Sequence, residues 1–78
     1  MDLGEKSQQE KSVLSDLEMG TASLFWMMRK AMQLKNDGRI SQNQLKTYAD
    51  LIEQARDAEG EQKGYLFRVA KIQLTGWI

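Results

Sequence analysis

Few residues in this chain have the types and spacing to do chemistry, and they fall in two places. Glu53, Asp57 and Glu61 recur in steps of four. That spacing stacks carboxylates along one helix face, where a row of three attracts a divalent cation weakly. A solvated acidic face without any ligand is the preferred reading of the row. Further upstream, Gln42, Asn43, Gln44 and Lys46 bring amides and a cation together, the groups that read base edges and contact phosphate. What is missing narrows the field more than what is present. The chain has no cysteine and no histidine, which excludes thiolate and imidazole metal sites, haem ligation by these residues, thiol chemistry and imidazole acid–base catalysis. The expectation is therefore a non-enzymatic protein with no cofactor, no catalytic residue and no metal site.

The piece Asp37-Gly38-Arg39-Ile40-Ser41, followed by Leu45, is similar to the back half of an EF-hand loop. With Gly38 as that loop's glycine, however, the first and third ligand positions fall on Gln33 and Lys35, and the final glutamate position on Gln44. Calcium needs several oxygen ligands carrying negative charge, and Asp37 alone supplies that here. The same piece also resembles the turn of helix-turn-helix regulators. On that reading Arg29, Lys30, Arg39, Gln42, Asn43 and Lys46 are the DNA-contacting set. Asp50, Glu53 and Asp57 lie further along the same helix and would repel phosphate, so a plain capped turn between two helices is the preferred reading.

The elements that position these residues follow from that turn. Gly38 ends a helix by taking the left-handed conformation at no steric cost, and Asn36 and Asp37 suit its last turn. Ser41 and Gln44 make a capping box that opens the next helix, with Ile40 and Leu45 as its hydrophobic staple. Before the turn, Val13, Leu17, Gly20, Leu24, Met27 or Met28, Ala31 and Leu34 recur in steps of four and three, which predicts a first helix from about Glu10 to Lys35. Leu14, Phe25 and Met32 widen its apolar arc beyond what one neighbour can cover. Gly20 is its weak point, and two helices broken there are the alternative. A second helix is predicted from Gln42 to about Glu59, with Leu45, Tyr48, Ala49, Ile52 and Ala55 inward. A third runs from about Gln62 to Thr75, after a turn within Glu59–Gly64. Alternation of Tyr65, Phe67 and Val69 offers a strand as the rival, and a second helix running straight through both glycines is another. Residues 1–9 read as a loose arm and 10–78 as one helical domain.

The fold class expected is all-α, a small helical bundle built as a helical hairpin plus a third helix, and oligomeric. A chain of 78 residues sits near the size at which one core is barely sufficient. Proline is absent, so long helices run uninterrupted. Charge falls in blocks. Residues 1–27 carry five acids and two bases, 28–48 one acid and five bases, 49–62 five acids and one base, and 63–78 three bases alone. With no net charge, this alternation favours folding back on itself or onto a copy rather than the one-sided field that holds nucleic acid.

No transmembrane segment is expected, because the longest apolar run, Leu24–Met28, is five residues against the ~20 that span a bilayer. The first residues lack a secretory pattern, so a cytoplasmic setting is expected. Met19, Trp26, Met27 and Met28, clustered on one helix, read first as ordinary core and second as a binding surface, since Met-rich faces adapt to partners and Trp is enriched at hot spots. Gly76-Trp77-Ile78 either closes the bundle or protrudes as a docking tail. The protein-interface residues expected are Met19, Trp26, Met27, Tyr65, Ile72 and Trp77. Replacing Trp26 by Ala is expected to weaken association at little cost in stability. The function read from these features is a small interaction module or regulator that self-associates, as a homodimer or higher oligomer, and binds a larger protein. A DNA-binding regulator is second, and a peripheral membrane helix built on Arg68, Lys71 and Trp77 third.

Overall fold

The computed structural model describes residues 20–78. They form three helices: α1 (Thr21–Asn36), α2 (Gln42–Asp57) and α3 (Gly60–Trp77). Among the described residues there is no strand. The start of α1 faces the end of α2, and Tyr48 near the start of α2 meets Ala70 and Trp77 towards the end of α3. The helices therefore run up, down and up, with α2 packed between its neighbours. This is the hairpin plus third helix read from the sequence; its state of association is a separate matter.

The turn between α1 and α2 is built as its sequence requires. Gly38 sits at φ 78°, its N–H donates to the Lys35 carbonyl at 3.0 Å, and the Arg39 N–H donates to the Leu34 carbonyl at 2.9 Å. These two bonds are the Schellman pair that satisfies the last carbonyls of a helix. Three residues on, the Gln44 N–H donates to Ser41 Oγ at 3.1 Å and the Ser41 N–H donates to Gln44 Oε1 at 2.7 Å, completing the capping box. Ile40 is buried and Leu45 packs against the same core, as a staple does.

Four boundaries differ from the sequence reading: the start of the first helix, the end of the second and both ends of the third, which runs on to Trp77 rather than stopping at Thr75. The first described helix starts at Thr21 rather than continuing through Gly20, the break that the sequence offers as its alternative; the backbone of Gly20 is extended (φ 172°), and it caps α1 with no side-chain bond. Glycine offers no side chain for the job and weakens a helix interior by about 1 kcal/mol. The rest of the expected first helix, with Val13, Leu14 and Leu17, lies outside the described residues, as does the arm. The second turn is Ala58-Glu59 alone, earlier than expected. Only Gly60, at φ 61°, takes the left-handed conformation; Gly64 is an ordinary helical residue inside α3. Helices 2 and 3 are consequently separate, and Tyr65–Val69 is helix rather than strand.

Leu24, Met27, Ala31 and Leu34 of α1, Ile40 of the turn, Tyr48, Ile52 and Ala55 of α2, and Leu66, Phe67, Ala70 and Leu74 of α3 form the core. No polar or charged residue among those described is buried. Tyr48 is the pivot, fully enclosed, with its hydroxyl donating to the Ala70 carbonyl at 3.0 Å. That bond matters because a buried hydroxyl without a partner costs about 1–3 kcal/mol. The ring of Tyr48 lies 5.2 Å from that of Trp77, inclined at 59°, within the tilted geometry that aromatic pairs prefer.

Candidate interaction surface

The outward faces of the three helices are chemically unlike. On α2 the residues turned from the core are Lys46, Asp50, Glu53 and Asp57, all exposed. Arg56 binds two of them, with Nη2 at 3.9 Å from Glu53 Oε1 and Nε at 3.2 Å from Asp57 Oδ1. In such exposed settings these pairs add little to stability. On α1 and α3, by contrast, large apolar side chains face water. Phe25 is 68% exposed, Met32 48%, Tyr65 63% and Ile72 65%.

Each side has its own relief. Between the start of α1 and the end of α2 lies a cleft of about 200 Å³, lined by Thr21, Leu24, Phe25, Met28, Ile52, Glu53 and Arg56. That is smaller than the roughly 300–1,000 Å³ of small-molecule sites and suits one or two inserted side chains. The outer face of α1 carries a broader open hollow over Ala22, Phe25, Trp26, Arg29, Lys30 and Gln33. On α3, Tyr65, Val69, Ile72 and Gly76 fall in steps of four, three and four along the edge opposite Leu66, Ala70 and Leu74. Lys71, over the Phe67 ring at 5.6 Å, lies outside that stripe.

Compared with protein-family models, curated proteins and solved structures, the chain matches none. The reading of its surface therefore rests on its own residues.

Of the interface residues expected from sequence, Tyr65 and Ile72 are exposed, and Met19 lies outside the described residues. Trp26 is half-buried, packed against the core while bordering the α1 hollow. Met27 is corrected: it has no exposed surface and sits in the core, because α1 turns the Leu24–Met27–Ala31–Leu34 edge towards both neighbours. Trp77 is half-buried against Tyr48, so of the two alternatives for the C-terminal residues it closes the bundle. Phe25 and Met32 are the exposed apolar residues that the sequence reading left out of the surface. The signal was their position at the rim of an arc too wide for one neighbour.

The alternative DNA-contacting residues divide. Arg39, Gln42, Asn43 and Lys46 are exposed together at the turn and the start of α2, whereas Arg29 and Lys30 lie in the α1 hollow. The Gln44 side chain is already engaged in the capping box. Among the described residues no three acidic side chains form a group able to hold a metal, and no helix is long and apolar enough to cross a membrane. Among the described residues, the one titratable group clearly displaced from its ordinary value is Tyr48, whose burial pushes the phenol up. It is a core group with no access to a substrate.

Proposed function

We propose that this protein is a non-enzymatic interaction module or regulator that self-associates and binds a larger protein partner through apolar surface on α1 and α3. The observation that carries the reading is the exposure of Phe25, Met32, Tyr65 and Ile72 on two helices, beside a third whose outward face is entirely polar. Isolated exposed apolar residues are ordinary, but Phe25 beside a side-chain-sized cleft, and Tyr65 with Ile72 along one edge of α3, are what partner surfaces look like. The small cleft supports a protein partner over a cofactor or metabolite. A cytoplasmic setting belongs to the same proposal.

Affinity capture from the native cell tests this, comparing the natural chain with a Phe25→Ser, Tyr65→Ser double variant. Both substituted positions are exposed, so the variant keeps its fold, and it is expected to lose the captured partner. Equal capture by both chains overturns the reading. The DNA-binding alternative draws on the exposed Arg39, Gln42, Asn43 and Lys46 and is opposed by the acids of α2. Tight binding to duplex DNA at low salt, with steep loss on added salt, would put it first.

A further inference from the structure

On the reading that this chain is an interaction module, we propose that the outward stripe of α3 is a homodimer seam, along which two copies pair antiparallel about a two-fold axis between Val69 and Ile72. The 4-3-4 spacing of Tyr65, Val69, Ile72 and Gly76 is the repeat that keeps one helix edge facing a second helix. Nothing within the described fold needs this edge, since α3 fills its own core with Leu66, Phe67, Ala70 and Leu74. Antiparallel pairing sets Val69 against Ile72 of the second copy and Tyr65 against its Gly76. The bulkiest member of the stripe thus meets the one position that has no side chain, where a Cβ would touch nothing within 4 Å in the single chain. The stripe is complementary to itself in size, as a two-fold interface must be.

Charge selects a copy over other occupants. One border of the stripe carries Gln62 and Gln73, the other Glu61, Arg68 and Thr75, so the borders are neutral in sum. A neutral border gives no steering to nucleic acid, to an anionic bilayer or to a strongly charged protein, and it does not repel a second copy. In the antiparallel register the nearest residue to Arg68 on the facing border is the second copy's Thr75. The outward face of α2 could not serve in this way, because Asp50, Glu53 and Asp57 would confront their own copies. The seam is only about 16 Å long, eleven steps of about 1.5 Å from Tyr65 to Gly76. It falls short of the roughly 800 Å² per partner of a standard interface, so the dimer exchanges readily, with a dissociation constant on the order of 10 µM or weaker.

Sedimentation equilibrium of the full chain, from micromolar to near-millimolar concentration, is the test. Ile72→Asp is expected to weaken the dimer by about tenfold or more with helix content unchanged by circular dichroism. Gly76→Leu separates a fitted seam from general stickiness. It removes a helix-weakening glycine and adds apolar surface, yet it should weaken the dimer by filling the space that Tyr65 takes. Because the chain has no cysteine, a Tyr65→Cys chain mixed with a Gly76→Cys chain under mild oxidation should link positions 65 and 76 faster than 65 and 65. A dimer indifferent to both substitutions, or dominant linkage of 65 to 65, overturns the proposal. A monomer at every concentration that still captures a partner protein overturns the seam alone; a chain that does neither removes the interaction reading as well.

Discussion

Helices α2 and α3 lie side by side, joined by two residues, and differ in where their stability is written. α2 carries its own instructions: a reciprocal cap at Ser41 and Gln44, one inward edge of Tyr48, Ile52 and Ala55, and a charged outward face. α3 opens on Gly60 with no side-chain cap and carries a second glycine within its first turns. It is apolar on both edges. Short helices are marginal by themselves, so α3 depends on its contacts with α2 and α1, Tyr48 above all. The lesson is that one helix turns a charged face to water that needs no cover, while the other serves the fold with half its apolar surface and leaves half over. That spare half is where function is to be sought.

The comparison breaks most severely at its hinge. Tyr48→Ala, which removes the fully enclosed ring joining the two helices, is expected to cost about 3–5 kcal/mol by the precedent of buried aromatics. In a domain this small that leaves little folded protein, and chemical denaturation followed by circular dichroism reads it directly. Met27→Ala, also fully buried, should cost about 2–5 kcal/mol in the same measurement. A loss within about 0.5 kcal/mol would return Met27 to the surface, where the sequence reading had placed it.

Local instructions come next in size. Ser41→Ala, which breaks the capping box, should cost about 1 kcal/mol, and Gly38→Ala, which forces a side chain into the left-handed conformation at φ 78°, about 1–2 kcal/mol. Both losses are read from urea midpoints. No position at the start of α3 should show a cap effect of this size.

Tyr48→Phe sharpens the comparison through pH. Burial raises the phenol above its ordinary value of 10.0, so above about pH 10 the unfolded chain releases this proton while the folded chain keeps it. Stability from this group is complete below pH 10 and falls as pH rises further. The variant should lose about 1 kcal/mol at neutral pH with the hydrogen bond and show a shallower alkaline decline. Smallest of all, Tyr65→Ser should change stability by no more than about 0.5 kcal/mol while weakening association.

Legibility in the sequence followed the range of the forces. The α1–α2 turn was readable because Gly38, Ser41 and Gln44 act within a few residues of one another. The second turn was misplaced because Gly60 and Gly64 look alike as letters, and only packing decides which takes a positive φ. The split between Met27 inside and Met28 at the margin depends on the angle at which two neighbours arrive, information held in α2 and α3. For the candidate surface, Tyr65 and Ile72 stood out because α3 is apolar nearly all round. Phe25 and Met32 did not, since a rim residue is core or surface according to a partner's position.

The proximity of Tyr48 to Trp77 has one more consequence. Two chromophores held edge-tilted at 5.2 Å, in a protein with only two tryptophans, make an optical gauge of the α2–α3 junction. If α3 swings away while both helices stay coiled, the near-ultraviolet signal of that pair collapses before the far-ultraviolet band changes, and the molecule announces the parting without any added label.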